Sequence, residues 1–171
     1  MKDLKDDRDL IYLCGLFDGE GSAGIAHKRS PCEFSPFIEI NMTDIEPLIL
    51  WQNYFGGKLH RKEHRPAYKP SCLWRSQGKA VIPVAESLLR YARISRKREV
   101  LRLIIDFAKT MRCSGDNFPL PLSIQEYRQY LHGECHRLNT SRDEETAEVP
   151  AFEISLTLQM EFLFGQESRR A

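Results

Sequence analysis

Residues 13–21 read Leu13-Cys14-Gly15-Leu16-Phe17-Asp18-Gly19-Glu20-Gly21. Leu10, Ile11 and Tyr12 extend the run upstream, so the segment from Leu10 to Phe17 carries no charge on any helical face. A helix that is apolar all round has to be covered on all sides. One face can pack on its own sheet, and the rest needs a further cover. Asp18 and Glu20, interleaved with Gly19 and Gly21, follow at once, and glycine stops helices because it tolerates the left-handed cap. The reading predicts two carboxylates at the end of a buried rod. Oxygen ligands held in one place suit a hard divalent cation. The plain alternative is a glycine-rich helix stop with polar ends. An EF-hand loop is excluded, because position twelve counted from Asp18 is Arg29 and not Glu.

A chain of 171 residues suits one domain, or a domain plus a tail. No apolar run is long enough to span a membrane, and Met1 to Asp7 holds no signal-peptide core. The expectation is an intracellular protein, cytoplasmic or organellar, with no membrane partner. The five cysteines are odd in number and form no Cys-x-x-Cys, which reads as reduced thiols. The net charge of +1 conceals an asymmetry. Lys58 to Arg112 holds 15 Lys and Arg against 4 acidic residues, whereas residues 1–57 and 113–171 each hold 5 basic and 10 acidic. A basic middle between acidic ends fits a face that meets a polyanion.

The pattern along the chain predicts a helix over about 8–19, strands over Ser22–Lys28 and Phe34–Asn41, and a helix capped by Thr43 or Asp44 that ends at Gly56-Gly57. Strands follow over Lys58–Glu63 and Tyr68–Ser76, then helices over about 79–91, 94–110 and 124–138. Phe152 to Phe164 reads as either strand or helix. The expected class is α+β, in the order αββαββα, with a four-stranded antiparallel sheet and an extra C-terminal helix. Residues 1–112 form the expected core, and 113–171 a C-terminal helix and tail packed on the same domain.

Alternation sets Gly24, Ala26 and Lys28 on one sheet face with Ser35, Phe37 and Glu39. Leu59 and Trp74 read as core, which turns His60, Lys62 and His64, and Lys69, Ser71 and Arg75, to that same face. A twisted β-ribbon can carry such side chains to base edges in a major groove. Cys113, His132, Cys135 and His136 could assemble a zinc site, but two of the four lie far from a known zinc spacing, and the two histidines and Cys135 read rather as surface or packing residues.

Residues 13–21 resemble the LAGLIDADG motif of homing endonucleases. Leu13, Gly15, Leu16, Asp18 and Gly21 are identical to it, and Glu20 supplies a carboxylate where the family has an acidic residue. Tyr12, Ser22, Asn41-Met42-Thr43-Asp44, Phe55-Gly56-Gly57, Gly78 and the basic stretch Arg93 to Glu99 also look familial. The resemblance covers about residues 8–110, and the motif occurs once. It implies a site-specific double-stranded DNA endonuclease that works as a homodimer on a long pseudo-palindromic site with Mg²⁺ (or Mn²⁺). By the same resemblance, Glu20 and the Gly19 carbonyl hold the metal, and Asp18 supports the helix end. Leu13, Cys14, Gly15 and Phe17 form the dimer interface. Ser95 stands where the family keeps a catalytic lysine, so Lys97 is the substitute. Met42 stands where the family keeps a polar residue, often Gln. These two departures favour the alternative of a maturase or DNA-binding regulator without cleavage. An interaction domain with no nucleic-acid role is a further rival, opposed by the basic middle.

Overall fold

The alternation along Phe34–Met42 sets the core. In the computed structural model, which describes residues 7–27, 34–62, 70–111 and 120–140, Ile38 and Ile40 of β2 (Phe34–Met42) are fully buried. On β4 (Ser71–Gln77), Trp74 pairs across from Ile40 and from Leu59 of β3 (Lys58–Lys62). β1 (Gly21–His27) pairs with the other side of β2, giving an antiparallel sheet in the order β1-β2-β4-β3. Helices cover one face of this sheet: α1 (Asp7–Glu20), α2 (Glu46–Phe55), α3 (Val81–Leu89) and α4 (Ser95–Lys109). Their buried side chains, among them Leu13, Phe17, Leu48, Trp51, Leu88, Leu101, Ile104 and Phe107, join Ile38, Ile40 and Trp74 in one core. This is the expected α+β class and strand pattern.

Local details follow from turn chemistry. α2 starts after Ile45 with no side-chain cap, so neither Thr43 nor Asp44 caps it, and Pro47 occupies the first turn, where a missing N–H costs nothing. Gly56 and Gly57 end it at φ 71° and 84°. A side chain on Gly57 would stand 3.0 Å from the Trp74 ring and the Arg75 carbonyl. The Trp74 indole N–H donates to the Gly56 carbonyl at 2.7 Å, and its ring meets Trp51 at 4.7 Å.

α5 (Leu122–Thr140) packs against α4 and the edge strand β1. Arg128 ties it to the end of α4 by donating to the Thr110 hydroxyl and carbonyl, at 2.8 and 2.6 Å. The Asn139 amide donates to the Ala23 carbonyl at 3.0 Å, so α5 blunts the open edge of the sheet. The compact unit that contains these elements runs from Met1 to Ser141, and α5 belongs to it. The remaining unit, Arg142–Ala171, including the undecided segment Phe152 to Phe164, lies outside the described residues. No described helix is long and apolar enough to cross a membrane.

Where α5 crosses β1 and β2, His27, Phe34, His132 and His136 form a ring cluster with centroids 4.7–6.5 Å apart. No group of three metal-ligating side chains occurs among the described residues, and Cys113 lies outside them. Burial, and then the charges of His27 and His136, hold His132 below its ordinary value of 6.5. The unfolded chain therefore binds more protons in the window between the two values. The stability this confers is complete above 6.5 and is lost as pH falls through the folded value. Urea unfolding at about pH 7.5 and about pH 5.5 is expected to show the acid loss, and His132→Asn to shrink it.

Candidate functional site

α1 buries Leu10, Leu13, Cys14 and Phe17, each 1% exposed or less, against its own sheet and α3. Leu13, Cys14 and Phe17 are therefore not available to a partner, contrary to the expected interface. The Cys14 thiol donates to the Leu88 carbonyl at 3.6 Å, and burial pushes its pKa up to about 11. The uncovered side of α1 is instead Ile11 and Tyr12, each about half exposed, with exposed Gly15 and half-buried Leu16. Gly15 and Gly19 have open space where a side chain would stand, so another backbone can approach closely there.

At the C-terminal end of α1 the glycines act through space, not through φ. Neither Gly19 nor Gly21 has a positive φ. A Cβ on Gly21 would fall 2.2 Å from the Phe17 ring and 2.7 Å from its carbonyl oxygen. Only glycine lets β1 start directly on top of the last helical turn.

That last turn carries Asp18 and Glu20 and no basic residue, which is the wrong charge for the negative end of a helix dipole. The first turn of α4 carries Arg96, Lys97 and Arg98 and no acid, equally wrong for a positive end. Each end is corrected by the other. The Lys97 ammonium donates to the carbonyls of Phe17, Asp18 and Gly21 at 2.7, 2.7 and 2.9 Å. The Asp18 carboxylate accepts the Arg93 N–H at 2.7 Å, just ahead of α4, while its other oxygen is buried without a partner among the described residues. An ammonium has three protons, and all three of Lys97's are engaged. Lys97, expected to organise water for catalysis, instead closes the end of α1. Burial holds its pKa below the ordinary 10.5, although Asp18 pulls the other way.

Glu20 is exposed and makes no hydrogen bond or ion pair with any described residue. With the Gly19 carbonyl beside it, one chain offers a small all-oxygen set suited to a hard cation. One carboxylate is thin for such an ion, so the set fits a metal only when a second copy doubles it. A cavity of about 320 Å³ opens beside this end of α1, lined by Ser22, Arg96, Lys97 and Asn139 among others.

The opposite sheet face carries the other expected residues. Register sets Gly24 against Phe37, Ala26 against Ser35, Glu39 against Arg75, and Lys62 against Ser71. His60, Lys62, Ser35, Phe37, Glu39, Ser71 and Arg75 therefore share the face that Trp74 turns away from. Ser35 and Ser71 are buried, and His60 and Lys62 are exposed. Lys28, His64 and Lys69 lie outside the described residues. Lys58 and Gln77 join the face as well. The alternation of β3 and β4 reaches both of them. Met42 packs against the core.

No family model matches the chain, and no curated protein does. Solved structures do. The chain is similar to the homing endonuclease I-CvuI, solved with its DNA target in the presence of calcium, at TM-score 0.58 and 17% identity over 83% of this chain and 90% of that one. It is similar to the archaeal intron-encoded homing endonuclease I-Vdi141I, solved with DNA, at TM-score 0.59 and 14% identity over 84% and 89%. It is also similar to the homing endonuclease I-TnaI, at TM-score 0.51 and 17% identity over 75% and 97%. The chain has the LAGLIDADG homing-endonuclease fold.

Proposed function

We propose that this chain is a site-specific endonuclease of double-stranded DNA that hydrolyses phosphodiester bonds as a homodimer. The observation that carries the reading is the end of α1. Glu20 stands exposed at the end of a clasped helix, bonded to no described residue, and the same helix leaves Ile11, Tyr12 and Gly15 uncovered. Two such strips packed about a twofold axis that runs roughly along α1 would bring two copies of Glu20 together and reverse one sheet relative to the other, which suits a pseudo-palindromic site. Glu20 and the Gly19 carbonyl of each copy would hold Mg²⁺ or Mn²⁺. When bound, such an ion neutralises charge on the phosphate and lowers the pKa of a water. The chain's own part is to fix Glu20 through Lys97 and to grip DNA with the outer sheet face.

A second reading is a DNA or RNA binder of the same fold without cleavage, such as a maturase or regulator. Two observations favour it: Met42 faces the core, and Lys97 has no donor left for a water. Cleavage of a randomised duplex library with Mg²⁺ and with EDTA, sequencing the cut ends, separates the two. Metal-dependent cuts in both strands at one long pseudo-palindromic site are the expected result. Enrichment without cuts leaves only the binder. No retention on DNA, or retention insensitive to salt, sinks the endonuclease and the DNA-binding regulator, since phosphate contacts impose a steep salt dependence; the maturase falls only if an RNA library gives the same result.

A further inference from the structure

On the outer sheet face Gly24, Phe37, Glu39 and Arg75 form one arrangement. Gly24 lies opposite Phe37, and a Cβ there would stand 3.2 Å from the Phe37 ring. The missing side chain lets the ring lie against β1. The Arg75 guanidinium sits over that ring, 4.7 Å from its centroid. Glu39, directly across from Arg75 in the ladder, sets an oxygen 3.4 Å from its Nη1. The two side chains are only about a third exposed, 32% and 27%.

A flexible arginine on a sheet surface normally has many rotamers, and ordering it on binding opposes affinity. Here a ring beneath and a carboxylate beside it hold the fork in advance. The hold is also incomplete. The one ion-pair contact is long, and Nε is itself buried, with no acceptor among the described residues. The donors left to meet a ligand are those of Nη1 and Nη2, which make no polar contact with a described residue beyond the long one to Glu39. A planar fork with free paired donors matches the O6 and N7 acceptors that guanine presents in the major groove.

We propose that Arg75, preset by Phe37 and Glu39, is a guanine-reading residue of this chain, with Glu39 as its positioning residue and not itself a base reader. The inference rests on the DNA-binding reading above. A phosphate contact needs only charge, which lysine supplies. A guanine contact of this kind needs the fork, which lysine lacks.

The test is selection of a randomised duplex library on the full chain without added divalent metal, comparing wild type with Arg75→Lys, Arg75→Gln and Glu39→Gln. Circular dichroism checks that each variant folds. Wild type is expected to enrich guanine at one position and at its twofold mate. Both Arg75 variants are expected to lose that preference by roughly 5- to 150-fold. For Arg75→Lys the salt slope is expected to stay unchanged, because no phosphate charge is removed. Glu39→Gln is expected to weaken the same guanine preference partially. Three results overturn the proposal. The first is an unchanged motif in Arg75→Lys, with uniformly weaker binding and a shallower salt slope in Arg75→Gln. The second is loss of a cytosine preference in Glu39→Gln while Arg75→Lys keeps the wild-type motif. The third is that wild type enriches no duplex, which also removes the DNA-binding reading; in the first two cases that reading survives.

Discussion

Glu20→Gln is expected to abolish cleavage while leaving DNA binding within about twofold of wild type. The side chain keeps its shape and loses its charge. Glu20 is exposed and bonded to nothing described, so no buried partner is stranded and stability should stay within about 0.5 kcal/mol. The sheet residues that would meet DNA lie on the far side of the core from α1 and do not change. On the proposed function, what changes is the charge that would face a hard cation, and in a twofold dimer it would be removed twice. Losing such a ligand costs several kcal/mol of transition-state stabilisation, which is about a thousandfold or more in rate. Single-turnover cleavage of the selected site, beside gel-shift affinity for it, measures both halves. Cleavage by the variant at ordinary Mg²⁺ would sink the assignment of Glu20 as metal ligand.

The sheet was the most legible part of the sequence, because period-two patterns carry their own anchors. Ile38, Ile40, Leu59 and Trp74 fix which face is core, and the outward set of Ser35, Phe37, Glu39, His60, Lys62 and Arg75 follows by parity. The orientation of α1 was not legible for the opposite reason. A run apolar on every side has no polar face to mark the outside, so nothing in Leu10 to Phe17 says that Leu13, Cys14 and Phe17 turn inward while Ile11 and Tyr12 remain uncovered. Gly21 was legible as necessary but for the wrong cause. Its requirement is closeness to Phe17, which spacing alone does not separate from a left-handed cap. The role of Lys97 was hidden deepest. Its acceptors lie 76 to 80 residues away, and they are backbone carbonyls that carry no mark in the sequence. The one readable trace was the pair of helix ends with the wrong charge for their own dipoles. A local rule broken twice, in complementary ways, indicates two elements that correct each other.

Lys97→Met follows from that correction and separates a positioning role from a catalytic one. Methionine keeps the stem over Phe17 and removes the ammonium, leaving three carbonyls at the end of α1 without their donor. Hydrogen bonds to a charged group are worth about 1.5–3 kcal/mol each, but the site is partly open to water, so a total near 2–3 kcal/mol is expected. Thermal unfolding reads that loss. The last turn of α1 should then fray, and amide hydrogen exchange there should quicken in Lys97→Met but not in Glu20→Gln. Glu20 is still present on the frayed turn. Cleavage should therefore fall yet recover partly at raised Mg²⁺, because excess metal favours the ordered arrangement it binds. Glu20→Gln has no carboxylate to recover. Lys97→Arg should be intermediate, since a planar fork cannot aim three protons at carbonyls that converge on one point. A catalytic lysine would behave differently: α1 exchange would stay at the wild-type rate, and no Mg²⁺ concentration would restore cleavage.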